Sequence, residues 1–408
     1  MNKTCLPLEG VKVLELATVV ATPVAARMLA DYGAEVIKIE SPPYGDTCRT
    51  LGKDHQLPIE DGNNPFFDQL NTGKKFVALN LKTKEGMDAF FKLLGEVDIF
   101  MTNVRIKSLE KLGIDYETIK DQFPQLIYAH FTGLGTWGQE ANRPSFDQTA
   151  FWTRSGAATE SLAKGSVPAK MSFAFGDIVS SNMFIDGILM AYIGRQKHGK
   201  GTLICTSLLK SAIWCNTTSV INAQPQYGKE YPVHRYKPNN PFTEFYRCQD
   251  GEWIGFFDRD YEHNREYFAE ILDMPILLED PDLFSIKRMQ DSGKVSMITV
   301  ALEEAFAKKP SKEWEHLLRY RDIACEIAMH YKDLHRDPQA IANRWYEGVE
   351  YEEGITTYMP TPPVDFSEFG RKKMVRTGPV GCDTEEVLAS IGYTEEQLEA
   401  MRENKAIM

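Results

Sequence analysis

The sequence predicts an α/β protein with a Rossmann-like large domain built on a mainly parallel sheet, plus a smaller α+β domain. Two observations lead to this fold class. Strand-like and helix-like segments alternate through residue 206, which favours parallel strands joined by helices. A length of 408 residues, with 43% hydrophobic and 25% charged side chains, suits two globular domains rather than a disordered or fibrous chain.

The N-terminal segment has a strand-helix-strand pattern. Alternation of apolar and polar residues predicts strands over 11–16 and 34–40. Between them, Pro23 suits the first turn of a helix that ends at Gly33. Similar patterns predict further strands at 75–81, 98–102, 126–131 and 202–206, and helices at 83–94 and 178–195.

A proline-rich stretch with no clear periodicity, residues 225–244, separates the two predicted domains. The small domain is expected to contain a strand at 252–257, and the last helix of the chain is expected near 384–390. We therefore predict a discontinuous large domain of residues 1–224 and 330–408, a small domain of 245–325, and linkers at 225–244 and 326–329.

Composition and charge argue against several classes of protein. A net charge of −12 at pH 7 would repel phosphate backbones, so no nucleic-acid partner is expected. No segment approaches the roughly 20 apolar residues of a membrane helix, and no apolar signal core precedes Pro7. The seven cysteines are scattered and form no Cys-x-x-Cys pair. We expect a reduced, cytoplasmic protein with no membrane partner.

Motifs for nucleotide, metal and serine chemistry are missing or misplaced. Residues 133–138 read Gly-Leu-Gly-Thr-Trp-Gly, but no helix-forming segment follows, so we interpret them as a turn rather than an NAD-binding loop. The eight histidines form no His-x-x-x-His pair, and no Gly-x-Ser-x-Gly or Walker sequence is present. We expect no metal and no tightly bound cofactor.

Two acidic residues fall in loops close to predicted helices. Asp177 follows Gly176 just before the long apolar helix predicted from residue 178. Judged alone, an aspartate at that position is most simply a helix cap, and Asp147 is an ordinary loop acid.

Over nearly its whole length the sequence resembles the class III coenzyme A transferases, the family of formyl-CoA transferase and carnitine-CoA transferase. It is most similar to the subgroup that acts on 2-hydroxyacyl-CoA or on cinnamoyl-CoA and phenyllactate, through residues 101–105, 145–152 and 231–242. The family resemblance rests on segments in a shared order and spacing, namely 7–16, 31–40, 79–83, 98–103, 176–177, 199–201 and, in part, 378–388.

The resemblance implies that Asp177 is a nucleophile. Its carboxylate would attack an acyl-CoA thioester to give a mixed anhydride, and CoA would pass to a carboxylic acid through an aspartyl-CoA thioester. A helix start beside Asp177 would bring backbone amides and a positive dipole end to the reacting carbonyls. Coenzyme A is then a substrate, and the implied acids are (R)-2-hydroxy acids or their enoyl and aryl-acryloyl derivatives from amino-acid fermentation.

The resemblance also implies binding residues and a ring-like, interlocked homodimer. The cations among these residues suit phosphates, although each could instead belong to a solvated surface. The expected acyl pocket holds aromatic residues that could instead be core. The CoA-binding positions matched are Val20, Ala21, Leu79, Lys82, Asn103, Arg105 and Lys111, and the substrate-pocket positions are Phe146, Asp147, Phe151 and Trp152.

Two alternatives stay open beside CoA transfer. Acyl-CoA racemases of the same superfamily carry a histidine where this chain has Phe146, and phenylalanine cannot transfer a proton. A non-catalytic CoA-binding protein would keep the binding residues without turnover. Residues 234–242 replace the glycine-rich flap of formyl-CoA transferase, so the sequence does not indicate how the site is shielded.

Overall fold

The structure is a computed structural model that describes residues 5–351 and 354–408. Its strands are β1 (Lys12–Leu16), β2 (Glu35–Glu40), β3 (Lys75–Ala78), β4 (Ile99–Thr102), β5 (Ile127–Thr132), β6 (Thr202–Ser207), β7 (Phe245–Arg247), β8 (Trp253–Phe257), β9 (Ala324–Ile327), β10 (Tyr346–Glu350) and β11 (Thr356–Pro360).

Helices connect these strands, and none in the described ranges has both the length and the apolar character needed to cross a membrane. A π-helical turn covers Gln148–Thr153, and 3₁₀ turns cover Gly52–His55 and Pro281–Leu283. The α-helices are α1 (Ala21–Asp31), α2 (Cys48–Leu51), α3 (Pro65–Asn71), α4 (Lys84–Gly95), α5 (Ile106–Leu112), α6 (Tyr116–Ile119), α7 (Ala157–Glu160), α8 (Phe175–His198), α9 (Leu208–Cys215), α10 (Thr217–Asn222), α11 (Tyr261–Ile271), α12 (Ile276–Glu279), α13 (Ile286–Asp291), α14 (Val295–Phe306), α15 (Ser311–Tyr320), α16 (Tyr331–Leu334), α17 (Pro338–Ala342), α18 (Thr384–Ser390) and α19 (Glu395–Glu403).

The chain folds into two compact units. The described residues of Met1–Ala158, Lys170–Ile221 and Gln339–Met408 form the first unit, and Thr159–Ala169 with Asn222–Pro338 form the second. The second unit takes in residues 225–244, which we expected to be a linker, because the Phe242 ring is buried in that unit's core. As a division into separately folding domains, the boundaries given above stay a prediction.

The main sheet of the first unit confirms the Rossmann-like fold. Its six strands are all parallel and lie in the order β3-β2-β1-β4-β5-β6. Each of the six was predicted from the sequence, with differences only at the strand ends. The direction in which the strands are added reverses between β1 and β4, and in such folds ligands bind in the crevice at the carboxyl ends of these two strands.

Both faces of this sheet are buried, as is typical of parallel sheets. Val13 and Leu14 are neighbours in β1 but belong to different core clusters, because successive side chains of a strand point to opposite faces. The Val13 side shares its core with residues of α1 and α8, and the Leu14 side shares its core with residues of α4, α18 and α19.

The chain returns to the first unit after residue 339, where β10 and β11 pair in antiparallel register. Buried Asp68, in α3, accepts hydrogen bonds from the Tyr351 hydroxyl at 2.7 Å and from the Thr377 amide at 2.8 Å. Asp383 and Thr384 accept hydrogen bonds from backbone amides of β3. Elements far apart in sequence therefore complete one core.

One prediction about this C-terminal part was wrong. Helix α18 is not the last helix, because α19 follows it over Glu395–Glu403. The second helix begins at a capping box, in which Thr394 and Gln397 each bind the other's backbone amide through their side chains.

The second unit has its own sheet and core. Strands β7, β8 and β9 form an antiparallel sheet, and β8 corresponds to the strand predicted at 252–257. Helices α11, α14 and α15 contribute to the core through Phe268, Leu302 and Trp314, and the buried Phe242 ring lies 4.8 Å from the Phe268 ring.

Candidate active site

A cavity of about 380 Å³ opens at the point where the strand order of the main sheet reverses. Its walls are residues 18–21 after β1, 103–105 after β4, 132–133 at the end of β5, residues 141 and 143–146 of the following loop, and Asp177. Three of these segments follow the carboxyl ends of neighbouring parallel strands, which is where a doubly wound sheet places its ligand. Thr47, Phe131 and Leu208 complete the lining.

Asp177 lies inside the first turn of α8, which begins at Phe175. Ala174 occupies the N-cap position with φ +60°, and no side chain caps the helix. The interpretation of Asp177 as a helix cap is therefore wrong, because the helix starts three residues earlier than predicted. The Asp177 side chain instead contributes to the cavity wall.

Burial and a neighbouring acid change the protonation of Asp177. Only 9% of the residue is exposed, and burial raises the pKa of its carboxyl to about 7, with a smaller upward contribution from the Asp147 charge. Burial also raises the pKa of Asp147 to about 6, although the Gly176 amide and the Trp152 indole act in the opposite direction. The neighbouring carboxyl groups of Asp177 and Asp147 therefore both titrate close to neutral pH.

Gly176 is what allows these groups to lie so close together. The Asp147 carboxylate and the Phe151 ring both press against its backbone, and a Cβ built there would lie 2.4 Å from Phe151 Cγ. Only glycine leaves room for the first turn of α8 to approach this acid and this ring. Close packing therefore explains why a glycine precedes Asp177.

The structure brings some of the predicted CoA-binding residues to the cavity and leaves others outside its lining. Val20, Ala21, Asn103 and Arg105 line it. The Leu79 side chain is buried in the core on one face of the main sheet. Lys82 and Lys111 are exposed and do not line the cavity, so a CoA molecule would have to extend from the cavity to reach them.

The predicted substrate-pocket residues divide in a similar way. Phe146 lines the cavity and is 63% exposed, and Asp147 lies beside Gly176 at the start of α8. Phe151 and Trp152 belong to the hydrophobic core, where the Trp152 ring lies 5.7 Å from Phe175. Of the two interpretations that the sequence left open for these two rings, the structure favours core packing.

Several lining residues were not identified from the sequence. Arg143 adds a second cation beside Arg105, and its Nη1 lies 2.6 Å from Glu140 Oε1. Three hydroxyl-bearing residues, Thr18, Thr132 and Ser145, also line the cavity. The strand order would have indicated them, since it brings the ends of β1, β4 and β5 together, but one sequence does not reveal that order.

Comparison with known proteins gives consistent matches over nearly the whole chain. The family described as CoA-transferase family III matches residues 8–384. An (R)-2-hydroxy-4-methylpentanoate CoA-transferase of Clostridioides difficile is 38% identical over 400 residues, which are 98% of this chain and 99% of that protein. A cinnamoyl-CoA:phenyllactate CoA-transferase of Clostridium sporogenes is 34% identical over 98% of this chain and 97% of its own.

The fold has a solved counterpart. The crystal structure of a CaiB/BaiF family protein from Brucella suis matches with a TM-score of 0.81 at 25% identity, covering 95% of this chain and 100% of that one. In the described part of the present chain, no group of three or more His, Cys, Asp or Glu side chains is placed to hold a metal ion.

Proposed function

This chain belongs to CoA-transferase family III, and we propose that it moves CoA from an acyl-CoA to a carboxylic acid through covalent intermediates on Asp177. One observation carries the proposal. Asp177 is a buried carboxyl with a raised pKa, placed in the first turn of a long helix at the cavity where the strand order reverses. Such perturbed groups in a crevice are typical of catalytic sites.

The reaction would proceed by four exchanges at this carboxylate. Asp177 attacks the acyl carbonyl of the donor, and CoA leaves as a thiolate, giving an acyl-aspartyl anhydride. The thiolate attacks the aspartyl carbonyl, which releases the donor acid and forms an aspartyl-CoA thioester. The acceptor carboxylate then attacks this thioester and expels CoA thiolate. That thiolate finally attacks the acceptor's acyl carbonyl, which gives the new acyl-CoA and frees Asp177.

The surroundings of Asp177 suit these steps. The positive end of the α8 dipole favours negative charge on the attacking carboxylate and on each tetrahedral oxyanion. The N-cap residue Ala174 contributes no capping side chain. The raised pKa makes the ionised carboxylate a better nucleophile than an ordinary aspartate.

For CoA binding we propose the positions that the resemblance implied. Val20, Ala21 and Arg105 lie on the cavity wall, where Arg105 would meet a phosphate of the nucleotide. Lys82 and Lys111 would contact phosphates outside the cavity, and Leu79 would contribute its backbone there. Asn103 belongs to the same wall.

For the exchanged acids we propose (R)-2-hydroxy acids and their enoyl or aryl-acryloyl relatives. The names of the two relatives above support this choice, since each includes a 2-hydroxy acid. The cavity also offers apolar surface from Phe131, Phe146 and Leu208 beside the hydroxyl-bearing Thr132 and Ser145. Such a lining suits an apolar acyl chain that carries one hydroxyl group.

We further propose that the protein is a homodimer in the cytoplasm. Exposed apolar side chains surround a second cavity of about 580 Å³ along α8, α9 and α10, among them Met190, Ile213 and Trp214. A contiguous apolar surface beside the edge strand β6 indicates a partner, and a second copy is the partner that the family implies. Seven free cysteines are typical of a reducing compartment.

The experiment that tests the mechanism is trapping of the intermediate. Incubation with acyl-CoA followed by hydroxylamine should leave a hydroxamate on the peptide that contains Gly176 and Asp177, detected by mass. Asp177→Asn should remove both the adduct and transfer, by several powers of ten. Asp273→Asn, at an exposed position of the second unit, is the control and should behave as wild type. A folded Asp177→Asn variant with normal transfer would refute the mechanism.

The substrate proposal has a separate test. A panel of donor acyl-CoAs and acceptor acids, with and without an (R)-2-hydroxyl group, should show the highest kcat/KM for the 2-hydroxy acids or their unsaturated derivatives. Equal rates with simple short-chain acids would contradict that substrate class but leave the aspartyl mechanism in place.

A further inference from the structure

The dipeptide Thr18–Val19 forms the cavity wall directly after β1. Val19 has φ +70°, in the left-handed region that a β-branched residue rarely adopts. The loop contains no glycine that would make this conformation easy. A strained residue of this kind persists only when its surroundings hold it, and such residues concentrate at functional sites.

Side chains bind all four backbone polar groups of this dipeptide. Asn103 Oδ1 accepts a hydrogen bond from the Thr18 amide at 3.2 Å, and its Nδ2 donates to the Thr18 carbonyl at 2.7 Å. Asp46 Oδ1 accepts from the Val19 amide at 3.1 Å, and the Cys48 thiol donates to the Val19 carbonyl at 3.3 Å. Side chains, rather than the backbone hydrogen bonds of a helix or sheet, therefore hold this part of the backbone.

Asp46 is itself fixed by fully buried charges. Lys38 Nζ lies 3.0 Å from Asp46 Oδ2 and 2.9 Å from Glu15 Oε1, and it donates to the Ala17 carbonyl at 2.7 Å. Glu15 Oε2 also pairs with Lys74 Nζ at 2.7 Å. Hydrogen-bonded charges in such a dry environment are rigid, because moving any one of them leaves another unpaired.

We propose that Asn103 is a positioning residue, which acts on the acyl group through Thr18 and Val19 rather than by touching CoA itself. Together with Asp46 it fixes the wall that faces the cavity shared with Asp177. This inference rests on the proposed function. In this role Asn103 holds the strained loop in place and does not contact the nucleotide.

The expected consequence is a loss of alignment rather than of affinity. Without Asn103 the Thr18 amide and carbonyl have no partner on that side, and Val19 can relax toward ordinary backbone angles. Val20 and Ala21, which follow on the same wall, then shift. A misplacement of about 1 Å at reacting atoms costs about 100-fold in rate, which sets the scale of the effect.

The test compares Asn103→Ala with wild type on two donors, an acyl-CoA and the matching acyl-pantetheine, which lacks the nucleotide. We expect kcat to fall about 10- to 100-fold with both donors, and KM for acyl-CoA to stay within about twofold. Thr394→Ala is the matched control. It also removes a side-chain bond to backbone, in the capping box of α19, and should leave both rates unchanged.

A double-mutant cycle adds a readout that a direct contact would not produce. Glycine adopts the left-handed conformation without strain, so Val19→Gly should reduce the effect of Asn103→Ala on kcat by at least about threefold. A raised KM for acyl-CoA with unchanged turnover of acyl-pantetheine would overturn the proposal and return Asn103 to the nucleotide. Full additivity of the two substitutions would also overturn it. Absence of transfer in wild type would instead refute the proposed function.

Discussion

Asp147 occupies the space in which residue 176 would carry a side chain. A Cβ built on Gly176 would lie 2.2 Å from Asp147 Oδ1, far inside van der Waals contact. The acid therefore packs on the backbone of α8 one residue before the proposed nucleophile. The positions of these two carboxyl groups are linked through a single glycine.

Gly176→Ala should destabilise the protein by about 1–3 kcal/mol and lower transfer, because either Asp147 or the first turn of α8 must move. Gly194→Ala, in the same helix, meets no atom within 4 Å and is the control. It should stabilise by about 0.5–1 kcal/mol, since alanine favours helix over glycine. Denaturant unfolding and a transfer assay check both variants. Equal behaviour of the two would contradict this packing argument.

The pH dependence of transfer should report the raised pKa of Asp177. The nucleophile must be ionised, so kcat/KM should rise with pH around a midpoint of about 7, instead of near the usual value of about 4 for aspartate. Asp147→Asn removes the neighbouring negative charge and should move this midpoint to lower pH. Burial is the larger cause and stays, so the midpoint should remain above the usual range. An unshifted midpoint would mean that the two groups do not interact.

The same pKa makes a prediction for stability. Folded Asp177 holds its proton more tightly than the unfolded chain, so its contribution to stability falls as pH rises from about 4 to about 7. Asp177→Asn has no such titration and should therefore gain stability relative to wild type over this interval. Thermal unfolding at pH 5 and pH 8 measures the difference. A gain that is the same at both pH values would contradict the assignment.

Replacing a cation that is proposed to bind phosphate should weaken the binding of acyl-CoA more than it slows the chemical steps. Arg105→Ala and Lys82→Ala are expected to raise KM for acyl-CoA more than they lower kcat, because phosphate contacts are equal in ground state and transition state. Acyl-pantetheine should show no such rise. Lys308→Ala, an exposed lysine of the second unit, serves as the control. Unchanged KM in both test variants would place the nucleotide elsewhere.

The α-proton of the acyl group should not exchange. Phe146 lies on the cavity wall, and among the lining residues in the described part of the chain none is a histidine. The histidine–aspartate pair on which the racemase alternative depends is therefore missing from this lining. Incubation of an acyl-CoA with the enzyme in D₂O, followed by mass analysis of the recovered thioester, should show no deuterium at the α-carbon. Rapid uptake would support the racemase alternative.

The buried charges behind the cavity should be sensitive to removal of one partner. Lys38→Met leaves Asp46 without its cation and should cost about 3–5 kcal/mol. Lys287→Met breaks an exposed pair with Asp291 on α13 and should cost less than about 0.5 kcal/mol. Denaturant unfolding of both variants compares the two environments. Similar losses would show that the charges around Lys38 are solvated.

The individual strands were predictable because each carries a local pattern, whereas the cavity depends on which strands are neighbours. Asn103 lies beside Thr18 only because β4 pairs with β1, and the sequence around residue 103 does not indicate that pairing. The left-handed angle of Val19 was not predictable, since valine argues against it and the groups that hold this backbone, Asp46 with Cys48 and Asn103, come from two separate segments. By contrast, the start of α19 was predictable, because its Thr-x-x-Gln capping sequence is local.

The discontinuous first unit sets an order for folding during synthesis. Asp68 lies early in the chain and its carboxylate is buried in the folded protein. Its partners Tyr351 and Thr377 leave the ribosome about 300 residues later. Until then this acid and the edge of β3 lack the groups that satisfy them in the folded protein. A nascent chain must therefore carry a main sheet whose β3 edge stays uncovered until residues 383 and 384 are made, which makes it a natural client for chaperones that shield such edges.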